Sequence, residues 1–446
     1  MKQRAISLLL VLALIFSLCA VSALAEEQSG GESAAGPVTT DETTDTPPAE
    51  EPEDAPQVSL AGPDRPTTDL GEAVTIVPDA VGSLSFANLE RRMRENSLQV
   101  LLLQENIDTL EDIDYDETAQ MLREQLSGMA EMQWGLQLFG KGDGNAAYQL
   151  EQNAKSVRET LDAIYDGEQQ QDDADTIRNL KNLQDQIIMA GESLYVAIAA
   201  MEIQEESLVH TLEATERTAQ EMQLRYDLGQ ISALQLAEVS SGKASLESSL
   251  ETLRMNIRTY KLQLEMLIGA QMDGIITLGP VPAVTTDEIG KMNLEEDLKT
   301  AKANSYELYA AEKVLEDEKD TYKEIGLRYH YNEHNYYFAL AQHTWNSAQL
   351  TYNDTVQNYE MKFRTLYEQV KDYKQVLDTA QVALACEETS FAAAQMRLQQ
   401  GSISQNKFLE AQNELHAAEG KVLSAANDLF SAYNTYCWAV QHGILN

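Results

Sequence analysis

The chain has 446 residues, with 72 acidic side chains against 32 Lys and Arg, for a formal net charge of −40. That excess repels a phosphate backbone, so no nucleic-acid partner is expected, and it argues against docking on an anionic membrane through basic side chains. With 43% apolar residues the composition is that of an ordered protein, although 7% aromatic is low for one large compact core.

At the N terminus Lys2 and Arg4 precede an apolar run over 6–18, and Ala23-Leu24-Ala25 supplies a small-x-small cleavage site. This order reads as a signal peptide over 1–25. The run is too short for a comfortable membrane anchor, and Leu18 is too bulky for a lipidation motif at Cys19. No other stretch approaches 18 consecutive apolar residues, so no helical membrane span is expected. Residues 26–69 hold twelve acidic residues and one basic residue, Arg65, among Pro, Thr, Ser and Gly. Such a segment buries too little apolar surface to offset ordering entropy and reads as a disordered acidic linker, a spacer or a tether. Beyond the leader only Cys386 and Cys437 remain, which rules out a disulfide scaffold despite export.

The rest of the chain repeats itself, as a first helical repeat over 70–268, a linker over 269–291 and a second repeat over 292–446. No proline occurs in 79–279 or after Pro282, which permits very long helices. Asn96-Ser97 aligns with Asn304-Ser305 near the two openings. Arg225, Gly229, Ile231 and Ser232 match Arg397, Gly401, Ile403 and Ser404 near the two closings.

Within each copy the period is helical. Leu246, Leu250, Leu253, Ile257, Tyr260, Leu264 and Leu267 alternate spacings of four and three. So do Leu89, Met93, Asn96, Val100, Leu103, Ile107 and Leu110, while Leu180, Ile187, Leu194, Met201 and Leu208 recur every seven. These are heptad seams that pack on partner helices. Residues 176–228 can form one helix ~80 Å long. Alternating strand patterns are scarce, and Leu327-Arg328-Tyr329-His330-Tyr331 is the best candidate.

The break between the long helices is sharply written. Gly229 can take the left-handed conformation that stops a helix. Ser232 can cap the next helix, with Gln235 completing a capping box and Ile231 and Leu236 forming a hydrophobic staple. Gly401, Ser404, Ile403 and Phe408 occupy the same roles in the second copy, where Lys407 replaces the Gln and the reciprocal box is lost. The expectation is an all-α chain of two long antiparallel helical hairpins.

These openings and closings resemble the TolC family of outer-membrane efflux proteins. Met292-Asn293-Leu294-Glu295-Glu296 with Ala301 and Asn304 fits the family's opening, and Arg225-Tyr226-Asp227-Leu228-Gly229-Gln230-Ile231-Ser232 fits its closing. The likeness covers about 84–446. It implies a homotrimer whose helices enclose a tunnel, an envelope location, and a periplasmic-type adaptor coupled to an inner-membrane pump. It also implies that Gly229, Ile231, Ser232, Gly401, Ile403 and Ser404 form adaptor-docking tips, although cap and staple chemistry alone explains these residues. The family inserts a β-hairpin in each copy. Here 112–175 reads as charged helix and loop, and 327–360 is aromatic but poorly alternating, so no membrane-spanning barrel is expected. The alternative of another class is a secreted coiled-coil scaffold of the cell envelope.

Other features admit two accounts. His330-Tyr331-Asn332-Glu333-His334 matches the H-x-x-E-H pattern of inverted zinc peptidases, which on a helix would put two imidazoles on one face. Solvated or interface histidines explain it better, and neither enzymatic activity nor a cofactor is expected. The aromatic cluster Tyr329, Tyr331, Tyr336, Tyr337, Phe338 and Trp345 could meet lipid headgroups or a partner, but trimer packing is favoured. The acidic charge could line a tunnel and select cations, or simply solvate exposed helices. A hairpin turning near residue 402 leaves Cys437 ~28 Å from Cys386, beyond the ~7 Å that a disulfide allows between Cα atoms. Two free thiols are expected.

Overall fold

A computed structural model describes residues 79–80, 82–139 and 144–445. The signal peptide and acidic linker expected over 1–25 and 26–69 lie outside the described residues.

The described chain is almost entirely helical. After a two-residue strand β1 (Ser83–Leu84) come α1 (Phe86–Asn96), α2 (Leu98–Glu111), α3 (Tyr115–Phe139), α4 (Gly144–Tyr165), α5 (Glu168–Asp227) and α6 (Ala233–Leu267). Strand β2 (Thr277–Leu278) and the short α7 (Thr286–Lys291) follow. The second copy comprises α8 (Leu294–Asn304), α9 (Tyr306–Arg328), α10 (Tyr336–Gln399) and α11 (Gln405–His442). The helices α5 and α10 have 60 and 64 residues, so each is a rod on the order of 90 Å long. Each packs antiparallel against its successor, giving the two expected hairpins.

The seams are heptads, but not all are those expected. On α6 Leu250, Ile257 and Leu264 are buried, while Tyr260 is turned out. On α5 the buried line is Gln184, Ile188, Gly191, Tyr195 and Ile198, with spacings of four and three. The expected line through Ile187, Leu194 and Met201 is only half-buried, at its edge. Gln184 is admitted because its Nε2 donates to the Val100 carbonyl at 3.1 Å. Gly191 is admitted because a Cβ there would lie 2.3 Å from the Met93 sulfur. In the second hairpin Tyr359, Phe363, Leu366 and Val370 of α10 pack against Ala425, Leu429, Ala432 and Tyr436 of α11.

Both copies carry the same joint. The seam from Leu89 to Leu110 does not run along one helix; it is broken at Ser97, where the backbone turns extended (φ −69°, ψ 118°). Ser305 repeats this break (φ −67°, ψ 120°). A left-handed glycine presses on each joint. A Cβ on Gly269 would lie 2.7 Å from the Asn96 carbonyl oxygen, and one on Gly443 would lie 2.3 Å from Ser305 Cα. Only glycine permits such an approach at positive φ.

The stretch 112–175 is a helical hairpin, α3–α4, joined to the start of α5, with Ala119, Leu161 and Ile164 as its own small core. The linker 269–291 is not plain loop. Buried Glu265 accepts backbone hydrogens from Asp273, Gly274 and Ile276 at 2.8–3.1 Å. This lays β2 parallel to β1, with Ser83 opposite Thr277 and Leu84 opposite Leu278. The Tyr195 hydroxyl closes the arrangement by donating to the Gly279 carbonyl at 2.7 Å. Burial pushes that phenol up to about 12.

The best strand candidate is not formed. Leu327–Tyr331 is no strand: α9 runs through Arg328, and His330 and Tyr331 are left-handed (φ 52° and 50°). The chain turns back here, and the Tyr331 ring lies over Gly326. Helix α5 contains an 18-residue window apolar enough, by length and composition, to cross a membrane, with mean hydropathy 1.3 and 44% of it buried within the fold.

Candidate functional site

The two tips are built alike. At the end of α5, Gly229 is left-handed (φ 70°). Its N–H donates to the Tyr226 carbonyl, and Gln230 N–H donates to the Arg225 carbonyl, both at 2.8 Å. This is the paired closure of a Schellman turn. At the end of α10, Gly401 (φ 69°) donates to Leu398 and Ser402 donates to Arg397, both at 2.9 Å. A Cβ on either glycine would meet nothing within 4 Å, so only the dihedral demands glycine at these tips.

The caps differ as the sequence indicates. Ser232 accepts from Gln235 N–H at 3.3 Å, and Gln235 Oε1 accepts from Ser232 N–H at 3.0 Å, completing the box. Ser404 accepts from Lys407 N–H at 3.3 Å with no reciprocal bond. Ile231 and Ile403 are half-buried, whereas Gly229, Ser232, Gly401 and Ser404 are exposed. The tips stand level, since Asn406 at the start of α11 donates to Glu221 near the end of α5 at 3.1 Å. All six expected tip residues are thus brought to one end of the molecule.

Sequence periodicity overlooked the apolar surface around the tips. Leu224, Tyr226, Leu228 and Leu234 are exposed at the first tip, and Met396 at the second. Their signal was present as large apolar residues lying off the seam within two turns of each glycine. The second tip hides part of its own surface by packing Phe391 on Phe408, with ring centroids 5.3 Å apart.

A polar network joins the two hairpins at the other end of their shared seam. Asp185 of α5 accepts from Arg94 at 2.9 Å and meets His442 Nδ1 at 2.8 Å. Burial alone would raise the Asp185 carboxyl, but the hydrogen bonds from His442 and Arg94 outweigh it and hold the pKa low. Glu192, seven residues on, is buried and accepts from Trp438 Nε1 at 2.6 Å and Asn434 Nδ2 at 2.7 Å. Its desolvation exceeds those bonds, so its pKa is raised. Between network and tips, His210 and His416 stack face to face across the hairpins, with centroids 4.5 Å apart.

The H-x-x-E-H segment is not helical. His330 to His334 form the turn between α9 and α10, so the one-face imidazole geometry that zinc would need is absent. Among the described residues no group of three or more His, Cys, Asp or Glu is placed to hold a metal ion. Cys386 and Cys437 are unpaired.

No family model and no curated protein sequence matches the chain. Solved structures do. One is a membrane protein from Pseudomonas aeruginosa, at 11% identity and TM-score 0.48, over 80% of this chain and 89% of that one. Another is the outer membrane protein VceC from Vibrio cholerae, at 12% identity and TM-score 0.44, over 80% and 95%. A third is the Neisseria gonorrhoeae MtrE outer membrane channel in its open state, at 11% identity and TM-score 0.36, over 80% and 90%. At this identity the likeness is one of chain path, and it assigns the chain no activity and no partner.

Proposed function

We propose that this chain is an exported, non-enzymatic helical conduit of the cell envelope. In this proposal three copies set their hairpins side by side around a hollow cylinder, and the glycine tips dock an adaptor that couples the conduit to an inner-membrane pump. The observation that carries the proposal is the pair of level, exposed tips. Each is closed by the same two backbone bonds, and apolar side chains stand around them with nothing among the described residues to cover them. An exposed apolar cluster of this kind marks a protein contact. The exposed Leu350, Met361 and Val382 of α10 offer a flank for a neighbouring copy. The acidic charge would favour cations in such a lumen.

Mass measured in solution tests the assembly: a trimer is expected, and a stable monomer refutes the cylinder. Replacing Leu228 and Leu234 with Ser should abolish capture of an adaptor encoded beside this gene while leaving helicity and trimer mass intact. Unchanged capture removes docking at the tips. A second account, a coiled-coil scaffold without an open channel, draws on one observation. Among the described residues the two strands have two residues each, against the about 9–11 that a membrane strand requires. Release of a small cation dye from vesicles carrying the trimer separates the two, since a scaffold releases none.

A further inference from the structure

The two tips share a backbone but not a charge. Counted from Gly229 and Gly401, the residues Glu221, Arg225, Asp227 and Gln235 of the first tip correspond to Ala393, Arg397, Gln399 and Lys407 of the second. At the first tip Glu221, Asp227 and Glu238 outweigh Arg225. At the second, Arg397 and Lys407 outweigh Glu410, and no acidic residue occurs from Thr389 to Leu409. A chain of net charge −40 thus ends in one acidic tip and one cationic tip.

The matched arginines also differ in what they meet. The Arg225 guanidinium is taken up by Glu221, one turn back on its own helix. Ala393 holds that place in the second copy, and the exposed Arg397 guanidinium makes no hydrogen bond or ion pair among the described residues. Only the Arg397 backbone closes the turn, its carbonyl accepting from the Ser402 N–H and hydroxyl, both at 2.9 Å. Lys407 meets Glu410 at 3.1 Å, but both side chains are well exposed, and a surface pair of this kind leaves the cation open to a competing carboxylate. The apolar side chains divide in the opposite way. Leu224, Leu228 and Leu234 are bare at the first tip, against Met396 at the second. Since Asn406 and Glu221 hold the tips level, an apolar surface and a cationic one stand side by side.

We propose that the second tip receives a carboxylate of the docking partner. The first tip takes apolar side chains of that partner, and Arg397 with Lys407 takes an acidic residue beside them. This rests on the docking at the tips proposed above. The occupant is a protein, because it has to fill an apolar and a cationic surface at one level. A neighbouring copy fits the site less well. The exposed apolar flank of α10, Leu350, Met361 and Val382, stops ~22 Å short of Arg397 at helical rise.

A charge at the rim of an interface acts chiefly on the rate of encounter, whereas packed contacts govern dissociation. The test therefore measures both rates for the purified adaptor encoded beside this gene, on the immobilised chain from Glu26 onward. Ala393→Glu keeps Arg397 but supplies the carboxylate that Glu221 supplies in the first tip. Arg397→Gln removes the cation. Both are expected to slow association about three- to fivefold at low salt, with the difference from the parent shrinking at high salt. Dissociation, helicity and trimer mass should stay as in the parent. Unchanged association in both variants, with capture lost in Leu228→Ser/Leu234→Ser, overturns the carboxylate and leaves docking at the tips standing. Faster association in Arg397→Gln means a cationic partner and overturns it too. Loss of trimer mass in Arg397→Gln assigns the arginine to a neighbouring copy and overturns it equally. A parent chain that captures no adaptor removes the docking itself, and this proposal with it.

Discussion

Glycine at positive φ does two different jobs in this chain, and one substitution series separates them. At Gly229 and Gly401 the dihedral is left-handed, but no atom lies within 4 Å of the place a Cβ would occupy. Alanine at either should therefore cost only the left-handed penalty, about 1–2 kcal/mol. At Gly443 the dihedral is nearly the same, φ 69°, yet a Cβ would lie 2.3 Å from both Ser305 N and Cα and 2.6 Å from the Asn304 carbonyl carbon. Those are backbone atoms in the joint between α8 and α9, and they cannot swing aside as a flexible side chain would. Overpacking of this kind adds about 1–3 kcal/mol, so Gly443→Ala should lose ~2–5 kcal/mol in all. Guanidinium unfolding followed by far-ultraviolet circular dichroism measures the series, with midpoints compared only between variants of equal slope. Gly269→Ala should side with Gly443→Ala, because its Cβ would meet Asn96 backbone at 2.7 Å. Equal losses at Gly401 and Gly443 would refute the account, since the left-handed dihedral would then explain both sites and the paired joints would carry no weight.

Three further outcomes are expected. Ser232→Ala removes a full capping box and should cost ~1 kcal/mol, whereas Ser404→Ala should cost less and Gln235→Ala should bring the first tip down to the level of the second; unfolding midpoints rank them. Glu192 has a raised pKa, so the stability it contributes is present below the ordinary carboxylate range and is lost as pH rises through that raised value. Glu192→Gln keeps acceptors for Trp438 and Asn434, so it should be more stable than the parent at neutral pH, with the advantage shrinking as pH falls toward about 4.3. An advantage that is flat with pH would show the carboxylate carries no burial penalty. Burial pushes the Cys437 thiol up to about 11, while Cys386 is exposed. In the chain from Glu26 onward, a maleimide should label Cys386 quickly and Cys437 only on unfolding, as mass spectrometry of the peptides will show.

What the sequence made legible was whatever depends on residues close together along the chain. The tips were readable because Gly229, Ser232 and Gln235 act within one turn of backbone, and their hydrogen bonds form as the spacing requires. The heptad seam of α6 was readable because Leu250, Ile257 and Leu264 are large and apolar. The seam of α5 was not, because two of its buried positions are Gln184 and Gly191, and each is explained only by a partner far away in sequence. The joints at Ser97 and Ser305 were visible as a repeated Asn-Ser pair, but only Ser305 caps its helix locally, accepting from Leu308 N–H at 3.3 Å, while Ser97 makes no side-chain cap bond. What both joints share is close contact with a glycine, Gly269 or Gly443, more than a hundred residues downstream. The histidine motif misled for the opposite reason. Its spacing fits a helix, yet Asn332 within it and Asn335 just after it are turn and cap formers, and Asn335 accepts from Tyr337 and Phe338 N–H at 3.0 and 3.3 Å to start α10. That local chemistry overrides the five-residue pattern and puts the aromatic rings, not the imidazoles, in charge of the hairpin end. Tips set by local hydrogen bonds can therefore tolerate alanine, while joints set by distant packing cannot. The sequence is easiest to read at the positions where it is least constrained by the fold.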